Sequence, residues 1–382
     1  MRILYISPYP PTHDGIGDYT YALANAVRSA GNDVGVIVPR KVPDAPPEVV
    51  GALAPASFKA ACLCSVLSQW HPDVIHVQFA IAAFGIRTFA LMRLLDAVRR
   101  DLRVPVVVTL HEVTRESAEL LGVGRVLFRW MAGRCDHLIV HTDIASKSLA
   151  TLVEPKSMIT VIPHPTMPPH AASLSRADLR DRFGLGDARV LLIFGFIHAD
   201  KGLGDLIKAL TILRGARPEA LDGVRLVVAG SVRRRSGLFR AFEALDRLHF
   251  SQVLLQARRN SIMDHLVRTG YVPTGEVAAW FGLADGVVLP YRRVEQSGVA
   301  SIAHALNVPV LASTAGGLAE QCADSPWTFP PRAPDKIAEI IGYFLTATSA
   351  ERGKSCSRQR TDDIASVAAR TVEFYHKVMT ST

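Results

Sequence analysis

Three stretches of this 382-residue chain have residue types and spacing suited to holding an anion. The most developed runs from Tyr291 to Val299 and carries Arg292, Arg293, Glu295, Ser297 and Gly298. It follows Val287, Val288 and Leu289, a short apolar run that reads as a strand buried on both faces and stopped by Pro290. Ser297 stands where a helix N-cap belongs, ahead of Val299, Ile302, Ala303 and Leu306 at helical spacing. A strand, a basic loop and a helix whose first N–H groups face that loop make a βαβ unit suited to an anionic ligand.

The second stretch is Gly195 to Gly202, where Gly195 follows an apolar run and Lys201 precedes the helical pattern of Leu206, Ile207 and Leu210. The helix dipole disfavours a cation at that end, so Lys201 there asks for an anion. A strand-end loop, Thr269 to Pro273 with Gly270, Tyr271 and Val272, belongs to the same half and offers main-chain groups to a base. The third stretch is Gly15, Ile16, Gly17, Asp18, Tyr19 and Thr20. It superficially resembles a dinucleotide fingerprint, but Thr20 replaces the third glycine and the second strand ends at Pro39 and Arg40 without an acidic residue. A plain nicotinamide dehydrogenase is therefore disfavoured, and what survives is a glycine loop that a ligand can approach closely.

Histidines end several strands. His76 and His164 read as hydrogen-bonded structural residues, whereas His111, after the long run Val104 to Val108, lies at the carboxyl edge where open sheets bind ligands. Arg233 to Arg235 read as a solvated face. Leu120 to Arg134 read as a packed helix, with a basic membrane-docking surface as the alternative. No Asp-x-Asp pair occurs, so a metal-bridged diphosphate is not expected and protein cations and helix ends must stabilise the anion.

Stepping from these residues to the elements that hold them, short buried strands begin at Arg2, Val34, Asp73, Val104, His137 and Ile159, alternating with helical stretches. Asp18 is expected to cap the first helix. A segment rich in Pro, Ser and charge, Pro165 to Asp187, reads as a linker. The pattern then restarts with a strand Val190 to Phe194, a helix Asp205 to Leu213, a strand Val224 to Ala229 and a helix Glu276 to Leu283. Such alternation predicts open parallel sheets covered by helices. The domains are accordingly 1–168, a linker 169–186, 187–355, and a last segment 356–382. That segment is a helix capped by Asp362 or Asp363, whose stripe of Ile364, Val367, Ala368, Thr371, Val372 and Tyr375 needs a surface to cover.

The bulk composition agrees with an acidic ligand. The chain carries a net charge of +8, with 49% apolar and 20% charged residues. Basic charge alone suits nucleotides, phosphates, nucleic acid or anionic lipid, but no aromatic platform or motif for nucleic acid accompanies it. Five cysteines, Cys62, Cys64, Cys135, Cys322 and Cys356, lack paired spacing and read as reduced thiols. No leader and no run of about 20 apolar residues are seen. The expected location is the cytoplasm, with peripheral contact at the inner face of the membrane open.

Taken in order, these stretches resemble the retaining glycosyltransferases of family 4, group 1, along essentially the whole chain. The resemblance implies an α/β GT-B fold: two Rossmann-like domains with parallel sheets facing across a cleft, acceptor-binding first and nucleotide-sugar-binding second. It also implies that the last helix crosses back onto the N-terminal domain. Carried over residue by residue, Gly17 lies by the diphosphate with Gly15 in the same donor-binding loop, His111 holds sugar or acceptor, and Lys201 binds phosphate. Glu295 matches the first glutamate of the family's pair, near the transferred sugar, and Ser297, Gly298 and Val299 place backbone amides on the diphosphate. Gly195, Gly270, Tyr271 and Val272 complete the donor set. His111, Lys201 and Glu295 are the catalytic candidates, with no metal or other cofactor implied.

Two departures stand out. Ala303 replaces the second glutamate, which holds the ribose, and Phe196 replaces a phosphate-binding arginine, leaving Lys201 with His198 or Arg292 as helpers. The implied activity is transfer of a hexose, with retention, from a nucleoside diphosphate sugar to a carbohydrate, lipid-linked or small-molecule acceptor. A nucleotide-sugar epimerase of the same fold and a non-catalytic sugar-nucleotide-binding subunit are the alternatives.

Overall fold

The computed structural model describes residues 1–12, 14–53, 67–113, 123–153, 158–166, 169, 172–234, 240–353 and 362–381. The chain forms two compact units, one of Met1–Pro165 with Asp362–Thr382 and one of Thr166–Thr361. In the first, the apolar runs become seven parallel strands in the order β3-β2-β1-β4-β5-β6-β7. These are β1 (Arg2–Ile6), β2 (Asp33–Val38), β3 (Val49–Ala52), β4 (Val74–Phe79), β5 (Val106–Leu110), β6 (His137–Val140) and β7 (Met158–Val161). Every residue of β4 and β5 is buried, as a parallel sheet covered on both faces requires. The edge strand β3, which the sequence reading did not single out, is half-buried throughout.

Helix α1 (Gly15–Ser29) begins earlier than expected. Its cap is Asp14, not Asp18: Asp14 Oδ1 accepts from the amides of Ile16 at 2.9 Å and Gly17 at 3.3 Å. Asp18 lies instead in the first turn, where a negative charge complements the helix dipole. The last helix, Ile364–Ser381, is capped by Asp363, which accepts from the Ser366 amide at 2.7 Å. Its buried stripe of Val367, Ala368, Phe374, Tyr375 and Val378 packs with Ile3, Tyr5, Leu23 and Val27 in one cluster. The chain therefore returns to its first unit to finish that unit's core.

The second unit holds six parallel strands in the order β10-β9-β8-β11-β12-β13. They are β8 (Arg189–Phe194), β9 (Val224–Ala229), β10 (Leu266–Arg268), β11 (Gly286–Leu289), β12 (Val310–Ser313) and β13 (Thr328–Phe329). Its helices include α2 (Arg176–Arg182), α3 (Leu203–Ala216), α4 (Arg240–Arg259), α5 (Val277–Leu283), α6 (Gly298–Ala305) and α7 (Pro334–Thr346). Helix α2 corrects the linker reading of 169–186. Ser175 and Asp178 form a capping box and fully buried Leu179 packs with Val190 and Trp280, so part of that polar stretch belongs to the second core. Helix α4 escaped the sequence reading because Phe242, Leu245, Leu248 and Leu255 are all exposed, which blurs any single apolar stripe.

In each sheet the strand order reverses direction once, between β1 and β4 and between β8 and β11. Ligands of open α/β sheets bind beyond the carboxyl ends of the strands at such points. Among the described residues no helix is long and apolar enough to cross a membrane. Cys135 and Cys322 are buried thiols outside any disulfide, whereas Cys62, Cys64 and Cys356 lie outside the described residues.

Candidate active site

The reversal in the second sheet sets the loop after β8 beside the loop after β11. Lys201 ends a short turn ahead of α3, and its Nζ donates to the phenol oxygen of Tyr291 and lies 4.1 Å from that ring's centroid. Gly195 has φ +97°, and a Cβ there would stand 3.9 Å from both Lys201 Nζ and Val299 Cγ2. Three residues from two separate motifs thus converge on one spot, and the glycine keeps it open. Gly202 lets α3 start against the other loop, since a Cβ on it would lie 1.8 Å from the Pro290 carbonyl oxygen.

Ser297 caps α6 as expected, its Oγ accepting from the Ala300 amide at 3.2 Å. The Ser297 amide itself donates to Gln321 Oε1 at 2.7 Å. Of the three amides expected on the diphosphate, that one is already engaged; those of Gly298 and Val299 sit in the first turn, where a helix has no partner of its own to offer. Glu295 is buried, at 7% exposure, in the same loop. Ala303 is fully buried among Val308 and Val310. Beside it, burial lowers the imidazole of His304 to about 4.

Arg292 does not serve as a spare cation. Its Nε and Nη2 each donate to Asp205 at 2.7 Å, a bond that raises the guanidinium above its ordinary range. Arg293 makes a similar pair with Asp200, at 3.1 and 3.2 Å. The two arginines tie the β11 loop to the loop and helix that follow β8. Asp205 gave no sign of this role in the sequence, because its partner is 87 positions away. Phe196, 43% exposed, carries the guanidinium of Arg233 at 5.4 Å from its ring, and Arg233 and Arg234 are both exposed, as a solvated face requires. Arg235 lies outside the described residues. The Gly270 loop reaches the same sheet edge, but β9 stands between β10 and β8. Tyr271 is 62% exposed there and Val272 is buried.

In the first unit, Gly17 is buried against the loop before it, and a Cβ would lie 3.3 Å from Pro8 C and Tyr9 N. Gly15 has open space. His111, His141 and His164 stand beyond the carboxyl ends of β5, β6 and β7, whereas His76 lies inside β4 and does not end it as expected. Tyr19 packs on three of them, with ring centroids 5.3 Å from His111, 5.6 Å from His141 and 4.9 Å from His164. His76 is structural as expected, bonded to Thr109 Oγ1 at 2.7 Å and to the Tyr375 hydroxyl at 2.5 Å. His111 bonds Gln78 Oε1 through Nε2 at 2.8 Å. Burial is the main cause that lowers all four rings: His76 and His141 to about 3, His164 to about 4, and His111 well below its ordinary value. Each is therefore neutral near pH 7. His141 was missed as a site residue, although a histidine after the end of three successive strands is itself a signal. A separate cavity of about 510 Å³, lined by Asp73, Arg99, Arg103 and Asp136, opens where β4, β5 and β6 begin.

The family model for Glycosyltransferase Family 4 matches residues 13–166 and that for Glycosyl transferases group 1 matches residues 188–347. A glycogen synthase of Mycobacterium tuberculosis is 26% identical over 425 residues, covering 98% of this chain and 94% of the relative. A D-inositol 3-phosphate glycosyltransferase of Xylanimonas cellulosilytica is 29% identical over 265 residues, covering 65% of this chain and 57% of that one. Among solved structures, Anabaena HepE in complex with UDP superposes with a TM-score of 0.73 at 16% identity, over 99% of this chain and 100% of the other. Sucrose-phosphate synthase from Thermosynechococcus elongatus gives 0.74 at 17%, over 100% of both. The chain is a group 1 glycosyltransferase with the GT-B fold.

Proposed function

We propose that this glycosyltransferase moves a sugar from a nucleoside diphosphate sugar to an acceptor hydroxyl, with retention at the anomeric carbon and without a metal ion. The observation that carries the reading is the convergence of Lys201, Gly195 and Val299 at the reversal point of the second sheet. The leaving diphosphate gains negative charge in the transition state, and stabilisation must act there. Lys201 supplies a charge-assisted hydrogen bond of roughly 1.5–3 kcal/mol, and the start of α6 up to about 2 kcal/mol. Enzymes commonly lower barriers by about 8 kcal/mol or more. Orientation of the acceptor and exclusion of water supply the remainder. Glu295 is assigned to the transferred sugar and His111 to sugar or acceptor. UDP and UDP-glucose in complexes with HepE support a donor of this class.

The test is a panel of uridine, guanosine and deoxythymidine diphosphate sugars with carbohydrate, lipid-linked and small-molecule acceptors, in EDTA, with products read by mass spectrometry and anomeric configuration by NMR. Transfer is expected with one donor class. Lys201→Ala should abolish it while the circular dichroism spectrum is unchanged; substantial transfer by that variant would sink the assignment. Conversion of a donor in the absence of any acceptor would point to an epimerase instead.

A further inference from the structure

We infer that the last helix sets the tautomer of His111 through a buried hydrogen-bond relay, which makes Tyr375, His76 and Gln78 positioning residues for the transfer. The inference rests on the role proposed above for His111 at sugar or acceptor. The relay is read outward from the core. The Tyr375 hydroxyl donates to the Tyr5 hydroxyl at 3.3 Å. Its oxygen then accepts from His76, whose Nδ1 is 2.5 Å away, so Nδ1 carries that ring's proton. His76 Nε2 is thereby the bare nitrogen, and it receives Thr109 Oγ1 at 2.7 Å and the amide nitrogen of Gln78 at 3.3 Å. With its amide nitrogen turned to His76, Gln78 presents Oε1 to His111 Nε2 at 2.8 Å. A carbonyl oxygen only accepts. His111 therefore holds its proton on Nε2, and its Nδ1 is bare. Among the described residues that Nδ1 has no hydrogen-bond partner.

The sheet register builds this chain of contacts. His76 and Gln78 are two apart on β4 and share a face; Tyr5 pairs with His76 across β1 and β4, and Gln78 pairs with Thr109 across β4 and β5. Tyr5, His76, Gln78, His111 and Tyr375 are each 5% exposed or less, so water does not compete with the relay. Burial also keeps both imidazoles neutral, which is the condition under which a choice of tautomer has meaning. The consequence is chemical. A bare imidazole nitrogen accepts from a hydroxyl and repels a phosphate oxygen, so the relay prepares His111 for a sugar hydroxyl and not for the diphosphate.

The relay makes a prediction across 299 positions of sequence. In Tyr375→Phe, His76 loses the acceptor for its Nδ1 proton and shifts it to Nε2. The Gln78 amide then turns over, and His111 receives a donor at Nε2. Long-range proton–nitrogen correlation spectra of the full chain labelled with ¹⁵N-histidine read this directly, with His111→Gln identifying the His111 signals. The native chain should show His111 protonated on Nε2, and Tyr375→Phe and Gln78→Leu should both convert it partly or wholly to the other tautomer. A native His111 protonated on Nδ1, or a pattern unchanged in both variants, overturns the inference. In the transfer assay, turnover of Tyr375→Phe should fall about tenfold, the cost of one misplaced hydrogen bond, with a preserved circular dichroism spectrum. Unchanged turnover in a variant whose tautomer has switched also overturns it. The spectra need no substrate, so they stand whether or not Lys201→Ala upholds the proposed function.

Discussion

Asp205 lies in the first turn of α3 at 3% exposure and receives two hydrogen bonds of 2.7 Å from Arg292. A carboxylate so enclosed is held by its partner, and the partner by it. Asp205→Asn preserves the shape but removes the charge and one acceptor from a guanidinium that is itself only 26% exposed. Hydrogen bonds to charged groups contribute roughly 1.5–3 kcal/mol, so the urea midpoint of the second unit should fall by a corresponding amount. Asp200→Asn breaks the pair with Arg293, whose side chain is 49% exposed, and should cost less than about 1 kcal/mol. Equal losses in the two variants would remove the special place given to Asp205. At this scale the sequence marked single residues and few of their partners. Lys201 was visible because its charge contradicts its position at a helix start. That Arg292 is already paired was not visible, because the choice between phosphate and Asp205 is made by strand order and not by local spacing.

Elements were far more legible than contacts. Runs such as Ile3 to Ile6 and Val106 to Leu110 are buried without a break, and two-sided burial is what an apolar run records. The Ser297 cap of α6 followed from residue type alone. What failed was either half-buried, like β3, or exposed on its apolar positions, like α4. The packing of loop on loop was also hidden. Gly202 sits with φ +70° against the Pro290 carbonyl, so Gly202→Ala must push the β11 loop away from α3. Its cost should reach several kcal/mol, the range reserved for backbone strain and overpacking together. Gly298 at the start of α6 has nothing within 4 Å of an added Cβ, and Gly298→Ala should leave stability within about 0.5 kcal/mol of the parent. Chemical denaturation of the two variants side by side checks the contrast. Similar midpoints would mean that the loops after β8 and β11 are not closely packed.

For the whole molecule, two α/β units were legible as two restarts of one pattern, but the buried chemistry that ties the last helix to the first sheet was not. Tyr375 looked like one more apolar position on a stripe; its hydroxyl matters because β4 brings His76 beneath it. A cluster of four histidines in one unit also gives that unit a pH dependence with a definite sign. Their folded values lie below the ordinary 6.5, at about 3 for His76 and His141, about 4 for His164 and well below 6.5 for His111. Between those values and 6.5 the unfolded chain binds protons that the folded unit refuses, so unfolding becomes easier as pH falls. The stability they protect is complete above about pH 6.5 and is lost on acidification toward pH 4. Each ring contributes up to about 1.4 kcal/mol per pH unit within that window. The second unit, where burial lowers His249 and His304, should lose less. Hydrogen exchange with mass spectrometry at pH 7.5, 6.5, 5.5 and 4.5, after correction for the intrinsic exchange rate, separates the units by peptide. Protection of β4 and β5 should fall steeply below pH 6.5 while that of β8 and β9 falls less, and a parallel decline of both sheets would show that the histidine cluster does not govern the acid limit of the fold.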